Sequence, residues 1–341
     1  MSTIEILGLY GFSEFEAQGL ILATEIVGCH IESADDGVSV SELENLNETL
    51  QKCFIRPDGL ERQQLNDKYS DEAIRNSVIT LLSPFISTIY SGNDGPTKML
   101  LGGSEPAVKD RFDILVNLEK QGNHAEIVYL LGGKRDLWLD HEPIATKFLA
   151  ERISQKQDIS ISSAEIIVNE AKREFFPDKN DINAKRVSVV NYFSQQNITW
   201  PTESDLMEEL CSSYPELYNS KIISVSAHKK INSKGELTRP DTLDTFKQFW
   251  HDHGDFVQLQ ANQYGGKFPV AIVTTQPYGL YQLQQAIRVF WDKPITLSLV
   301  AEGITNKENI NLSVVFDSLA RTIYSGLDVV KRKIISQSEC R

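Results

Sequence analysis

The chain has 341 residues, 41% hydrophobic and 24% charged, so it is long enough to bury a large core in one elaborate domain or in two. Its 34 basic and 47 acidic residues leave a net charge of −13, which disfavours attraction to phosphate backbones and anionic membranes. These totals exclude a small disulfide-stapled module and argue against nucleic acid as a partner.

The first 95 residues predict a helix-rich region that packs on the core. Apolar residues recur at helical spacing in SEFEAQGLILATEIVG and DEAIRNSVITLLSPFISTIYSG, and the turn formers SGNDGP then end the region.

The chain starts with acidic residues where a secretory signal is basic, and its apolar windows are too short for a membrane span. Four scattered cysteines without a Cys-x-x-Cys pair, Cys29, Cys53, Cys211 and Cys340, indicate reduced thiols, so we expect a cytoplasmic protein.

Residues 96–341 predict an α/β domain. Short apolar runs alternate with amphipathic helices, a pattern typical of a Rossmann-like, mostly parallel sheet of about five strands flanked by helices. The predicted strands are KMLLGG, AEIVYLLGG, KIISVSAH, FPVAIVTTQP and ITLSLVAEG.

The helices between these strands follow a common pattern. After the first strand, Ser104 is the expected N-cap and Pro106 lies in the first turn. The stripe that should face the sheet is Val108, Phe112, Leu115 and Leu118, and Gly122 should end the helix. In the later helix YGLYQLQQAIRVFW, the side chains expected to point inward are Leu280, Leu283, Ile287 and Phe290.

An inserted helical subdomain is predicted at about residues 137–200. Within it, Ser162 and Glu165 have the spacing of a capping box, and DHEP at 140–143 should begin a helix.

Farther along, HDHGD at 251–255 suggests a metal site. The favoured interpretation is a helix end with a glycine stop at Gly254, where histidines complement the helix dipole.

Two strands end in paired glycines, MLLGGSEP at Gly102 and Gly103 and LLGGKRDLW at Gly132 and Gly133. Glycine lets a ligand approach the backbone closely, and in a parallel sheet all such exits lie at the carboxyl edge. We therefore expect both turns to border one crevice with Glu203 and the segment after the fourth strand. The alternative is that each pair only makes a tight turn.

Polar residues follow the predicted strands at this edge. The candidate ligand-binding residues are Ser104 after the first strand, Lys134 and Arg135 after the second, and Thr274, Thr275, Gln276 and Tyr278 after the fourth. The basic pair suits a phosphate or carboxylate, although an ordinary solvated basic turn explains it equally well. GGSEP does not match the dinucleotide fingerprint GxGxxG.

Glu203 is the candidate catalytic residue. In WPTESDLMEEL, Thr202 and Asp205 form a capping pair, and the apolar stripe is Leu206, Met207 and Leu210. These structural roles leave Glu203 unexplained.

The order of these motifs resembles the YdcF/SanA-like family of uncharacterised Rossmann-like proteins over about residues 97–300. The resemblance rests on the two glycine turns, the helix DRFDILVNLEKQG with Arg111, TESDLM with Glu203 and Met207, RPDTLDTF with Thr242 or Thr245, and VAIVTTQPYGLYQ. It implies a cleft for a nucleotide-like or phosphorylated ligand, with S-adenosylmethionine or a nucleotide as cofactor. Tyr278 replaces the family's histidine, and a tyrosine, whose reference pKa is about 10, does not serve as an imidazole base near neutral pH.

Two functions remain open. In the first, the protein is an enzyme acting on a phosphorylated or nucleotide-like molecule, with Glu203 as general base or metal-binding carboxylate. Lys134 and Arg135 then hold an anion that the backbone of residues 102–104 orients. In the second, it is an interaction protein on a decayed Rossmann-like scaffold, whose amino-terminal region and insertion form a surface for a protein partner.

Overall fold

The computed structural model describes residues 3–31, 40–57, 65–90, 95–178, 180–231, 235 and 237–339. Cys340 and most of the predicted SGNDGP turn, at 91–94, lie outside the described residues. Within them, the chain is an α/β protein with a mostly parallel six-stranded sheet, which confirms the predicted fold class. The sheet exceeds the expected five strands by one short antiparallel strand, β1.

The strands are short and lie mainly in the second half of the chain. The sheet consists of β1 (Ile89–Tyr90), β2 (Thr97–Leu101), β3 (Ile127–Gly133), β4 (Lys221–Ala227), β7 (Phe268–Thr275) and β8 (Ile295–Glu302). A separate hairpin pairs β5 (Lys230–Ile231) with β6 (Leu237–Thr238).

Helices make up most of the remaining described chain. They are α1 (Thr3–Leu9), α2 (Glu14–Ile26), α3 (Val40–Phe54), α4 (Glu72–Leu81), α5 (Ser83–Ile86), α6 (Glu105–Lys120), α7 (Pro143–Gln157), α8 (Ile161–Phe175), α9 (Ile182–Gln195), α10 (Glu203–Cys211), α11 (Thr242–Ala261), α12 (Gly279–Phe290) and α13 (Leu312–Glu339).

The chain divides into two compact units. We call Pro96–Asp252 the central unit, and Met1–Gly95 together with His253–Arg341 the terminal unit. The amino-terminal helices therefore pack with the carboxyl-terminal segment. The central unit contains β2, β3 and β4, and the terminal unit contains β1, β7 and β8.

In the central unit, β2, β3 and β4 run parallel, and α6 packs on β2. Ser104 is the N-cap of α6, Pro106 lies in its first turn, and the whole predicted stripe from Val108 to Leu118 is buried, as expected. Gly122 adopts a φ of 82° just beyond the helix, a conformation that glycine takes without strain. Sequence periodicity therefore predicted α6 correctly.

The insertion is helical, as predicted, and consists of α7, α8 and α9. The helix after DHEP begins at Pro143 with Glu142 as N-cap. The predicted capping box at Ser162 is wrong, because Ser160 is the N-cap and its side chain accepts the Ser163 N–H. The predicted stop at Gly254 is also wrong, because α11 continues to Ala261 and HDHGD lies inside it.

The terminal unit has its own apolar core. Helices from both ends of the chain contribute to it, including Leu20 of α2, Leu46 of α3, and Phe316 and Ile323 of α13. α13 packs against α3 and α12. The helices α1 to α5 confirm the helix-rich character predicted for the first 95 residues.

The side chains that are buried on α12 differ from the predicted apolar stripe. Phe290 is buried, whereas Leu280, Leu283 and Ile287 are only partly buried. The fully buried positions instead include Gln284 and Gln285, which donate hydrogen bonds to the Tyr10 carbonyl at 2.8 Å and to Ser325 Oγ at 2.7 Å. Polar partners on neighbouring elements make this burial favourable, and the sequence does not reveal them.

Among the described helices, none is both long enough and apolar enough to cross a membrane.

We expect Phe112→Ala to lower the free energy of unfolding by about 3–5 kcal/mol, because it leaves a cavity in the sheet-facing side of α6. The ring is fully buried and stacks on Tyr214 with ring centroids 4.9 Å apart. Urea unfolding measures the change, and Asn117→Ala on the exposed side of the same helix is the control. Equal losses in the two variants would contradict the assigned packing.

Candidate functional site

The two glycine turns of the central unit meet at the carboxylate of Glu203. The Gly133 N–H donates to Glu203 Oε2 at 3.0 Å. A Cβ added at Gly102 would lie 2.6 Å from both Cδ and Oε2 of Glu203. The structure thus brings both strand exits and Glu203 to one place, at the carboxyl ends of β2 and β3.

The second glycine pair is needed because other chain segments pass close to it. A Cβ at Gly132 would lie 2.9 Å from the backbone Cα of Ser204, and one at Gly133 would lie 2.7 Å from the Pro240 ring. Ser204 Oγ also donates to Ser226 Oγ, 2.8 Å away at the end of β4. The absence of side chains at these glycines therefore lets the start of α10 rest directly on the sheet.

Local sequence places Glu203 in the first turn of α10. The Thr202 N–H and hydroxyl both donate to Asp205 Oδ2, at 2.6 and 2.7 Å, which confirms the predicted capping pair. The predicted stripe of Leu206, Met207 and Leu210 is buried. The Glu203 N–H donates to the Arg135 carbonyl at 2.9 Å, which ties the start of the helix to the chain leaving β3.

Arg135 lies at the centre of an enclosed ion-pair cluster. Its Nε donates to Glu203 Oε1 at 3.3 Å, and its Nη2 donates to Glu142 Oε1 and to the Gly103 carbonyl, both at 3.1 Å. The exposed side-chain fractions are only 12% for Arg135, 13% for Glu203 and 4% for Glu142. The guanidinium therefore already binds two carboxylates of its own chain.

Glu142 is the member of this cluster that sequence reasoning missed. DHEP indicated only the start of a helix, and nothing in its spacing relates Glu142 to Arg135 or Glu203. Its burial follows from the pairing, since a buried carboxylate needs a partner. With one guanidinium and two carboxylates, the cluster carries a formal charge of −1 if all three groups are ionised.

The first glycine turn has a different set of bonds. Arg111, which is buried on α6, donates from Nη1 to the carbonyls of Leu101, at 2.8 Å, and Gly102. Among the described residues, no acceptor is assigned to the N–H groups of Gly103 and Ser104, which precede α6. These two N–H groups can therefore donate to an acceptor that binds at the N-terminus of α6.

Lys134 is the exposed cation of the second turn. Its N–H donates to the Ala227 carbonyl at 2.9 Å, which extends the pairing of β3 with β4. Within the described chain its side chain has no ion-pair partner, whereas the nearby Lys229 is paired with Asp136 at 2.7 Å. The predicted basic pair thus separates into an enclosed Arg135 and an exposed Lys134.

The remaining predicted ligand residues lie on other elements. Thr242 is the first residue of α11 in the central unit, and its carbonyl accepts the Thr245 hydroxyl at 2.8 Å. In the terminal unit, Thr274 is buried and donates to Gln282 Oε1.

Three further candidates follow or end β7 in the terminal unit. Thr275 is the last residue of the strand, the buried Gln276 donates from Nε2 to the Ser87 carbonyl at 3.2 Å, and Tyr278 is the partly buried N-cap of α12. That these residues share a crevice with the glycine turns stays a prediction.

A second buried ion pair holds the loop that carries Glu142. Arg186 of α9 donates to both oxygens of Asp140, at 2.9 and 2.8 Å, and lies 4.6 Å from the centre of the Trp138 ring. Burial alone would raise the pKa of Asp140, but hydrogen bonds from His141 and Arg186 outweigh it and hold that pKa well below its usual range. The loop between β3 and α7 is therefore fixed by two arginines.

No family model, curated protein or solved structure matches this chain. The class that fold and site define is an α/β protein with a mostly parallel sheet and a glycine-lined, ion-paired cluster at the carboxyl ends of β2 and β3.

We expect Gly102→Ala to destabilise the protein by about 1–3 kcal/mol, because the new methyl group would displace the Glu203 carboxylate. The same methyl should cost much less in the background of Glu203→Ala, where the obstructing atoms are gone. Unfolding free energies of the single and double variants measure this coupling. Gly8→Ala, in a helix with open space around the residue, is the control and should cause no loss. Additive costs of Gly102→Ala and Glu203→Ala would contradict the proposed contact.

We expect Asp140→Asn to destabilise the protein most above pH 5, roughly one unit above the ordinary aspartate pKa. The folded pKa of Asp140 is depressed, so ionised Asp140 stabilises the fold above its unfolded pKa, and this contribution is lost as the pH falls towards the folded pKa. Unfolding measured from pH 3 to 7 should show the two proteins converging in acid. Asp255→Asn, at an exposed position of α11, is the control. A constant difference across this range would count against the assignment.

Proposed function

We propose that this protein binds a phosphorylated or nucleotide-like small molecule at the carboxyl ends of β2 and β3. The observation that carries the proposal is the Glu203 carboxylate, which lies against both glycine turns at the carboxyl ends of β2 and β3. The N–H groups of Gly103 and Ser104 follow β2 and precede α6. Ligands of Rossmann-like folds bind outside the carboxyl ends of parallel strands, so this is the place where a ligand is expected.

The phosphate end of such a ligand fits the start of α6. Backbone N–H groups and the helix dipole both favour an anion there, and the exposed ammonium of Lys134 adds positive charge from the second turn. Glu105 would repel a phosphate, but its carboxylate is paired with Lys109 at 2.6 Å, which weakens the repulsion. Arg135 positions Glu203 and Glu142 instead of binding the anion itself.

The hydroxyl-bearing end fits Glu203. Each carboxylate oxygen has two lone pairs, and one bond from Gly133 and one from Arg135 leave acceptor capacity for a sugar hydroxyl. In Rossmann-like folds an acidic side chain commonly accepts hydrogen bonds from a ribose. If the protein converts the ligand chemically, the Glu203 carboxylate is the group that can act as general base.

Membership in the YdcF/SanA-like family belongs to this proposal and rests on the motifs of the sequence. It adds S-adenosylmethionine and nucleotides to the ligands worth testing. A cytoplasmic location is proposed on Cys29, Cys53 and Cys211, which are free thiols.

A second candidate function is a non-catalytic interaction protein. Two observations favour it: Arg135 is enclosed by carboxylates of its own chain, and α2 exposes a row of apolar side chains. This row consists of Phe15, Leu22 and Ile26, whose spacing of seven and four residues places them on one face of the helix. Exposed apolar patches of this kind mark interaction surfaces.

We expect thermal unfolding of the protein to shift upward with a phosphorylated ligand from a panel of nucleotides, sugar phosphates and S-adenosylmethionine. A ligand at a hundredfold excess over its Kd adds about 2.7 kcal/mol to the free energy of unfolding. Removing the phosphate from the responding compound should weaken binding, and so should Lys134→Ala. Glu203→Gln should weaken the binding of sugar-bearing ligands.

Glu165→Gln is the matched control, because it removes one negative charge from an exposed position on α8, outside the proposed site. Binding by this variant should equal that of the wild type. If no compound of the panel shifts the transition, the interaction-protein function is favoured instead. If a compound binds and Glu203→Gln does not alter its affinity, the role of Glu203 is wrong.

A further inference from the structure

A cavity of about 400 Å³ lies on the other half of α10, away from Glu203. Its floor is one face of the sheet, formed by Leu130 of β3 and by Ile222 and Ser224 of β4. Leu130 and Ser224 are direct neighbours in the parallel register, so their side chains share that face. The last residue of α10, Cys211, and the short helical turn Pro215–Leu217 complete the walls.

Most of the lining is apolar. Leu130 and Leu217 are buried, and Ile222 and the ring of Tyr218 also line the space. Burial raises the pKa of the Cys211 thiol, so this side chain is neutral at physiological pH and acts as a small apolar surface. The size and composition are typical of a pocket for a small organic molecule.

Three of the four hydroxyl groups of the lining already use their protons elsewhere. Ser212 Oγ donates to the Glu209 carbonyl at 2.6 Å, Ser220 Oγ donates to the Ala125 carbonyl at 2.6 Å, and the Tyr218 hydroxyl donates to the Ser212 carbonyl at 3.4 Å. What these oxygens can offer a ligand is therefore their lone pairs. A ligand that bonds to these three oxygens must supply hydrogen-bond donors.

Glu208 gives the cavity a negative charge. It is exposed at the rim, and among the described residues its carboxylate has no ion-pair partner. The exposed Tyr218 ring adds an aromatic face, which also attracts cations. An apolar floor, acceptor oxygens and one unpaired carboxylate together complement an alkyl or aryl group that carries an ammonium.

We infer that this cavity is a binding site for a small organic amine with an apolar body. The site is separate from the one proposed for phosphorylated ligands and does not depend on it. Glu203 and Cys211 stand at opposite ends of α10, and with 1.5 Å of rise per residue their Cα atoms are about 12 Å apart. One helix thus contributes to a polar site at its start and to an amine site at its end.

The test compares three probes of equal length, hexylamine, 1-hexanol and hexanoate, by calorimetry with the whole protein. Hexylamine should bind more tightly than hexanol by about fivefold, the scale expected of a partly exposed charge pair, and hexanoate should bind least. Raising the salt concentration should reduce the preference for the amine. Hexanol binding as tightly as hexylamine, or no binding of any probe, would overturn the inference.

Variants locate the site. Glu208→Gln should abolish the preference for hexylamine over hexanol, while Glu165→Gln, with the same change of charge outside the cavity, should keep it. Ser224→Phe should block all three probes by filling the space, at an exposed strand position where a large side chain is tolerated. Unaltered selectivity in Glu208→Gln would show that the amine binds elsewhere.

Discussion

The buried pairing of Arg135 with Glu203 and Glu142 is the interaction on which the organisation of the central unit depends. It joins the exit of β3, the start of α10 and the residue that precedes α7, and through the Gly103 carbonyl it also reaches the exit of β2. A guanidinium this enclosed is tolerable only with both carboxylates in place, because an unpaired buried charge costs several kcal/mol. The glycine turns provide the room in which these groups meet.

The same arrangement explains why α10 has two chemically different ends. Its first turn is polar because it lies at the carboxyl edge of the sheet, where Gly132 lets Ser204 reach Ser226. Its last turn lies over the middle of β3 and the edge strand β4, where Leu130 presents an apolar surface. A single helix therefore borders an ion-paired cluster at its start and an apolar cavity at its end, and its buried stripe of Leu206, Met207 and Leu210 packs between them.

Sequence reasoning succeeded where local chemistry decides the outcome. The apolar spacing of α6, the capping pair at Thr202 and the helical insertion all follow from interactions between residues close in the chain. It failed at Ser162 and Gly254, because a nearby serine caps α8 instead and because one glycine does not end a helix that continues as α11. On α12, hydrogen-bond partners distant in the chain allow Gln284 and Gln285 to be buried more deeply than three of the four predicted apolar residues.

The sequence by itself determined the α/β class, the positions of most helices and strands, and the glycine turns, since these depend on periodicity and on local backbone preferences. It also singled out Glu203, as the residue without a structural role in its helix. Only the tertiary structure decided what Glu203 touches, that Arg135 is enclosed rather than available, and that Glu142 belongs to the cluster. The hydrogen bonds among these residues span up to 70 positions of the sequence, and local preferences carry no information about such separations.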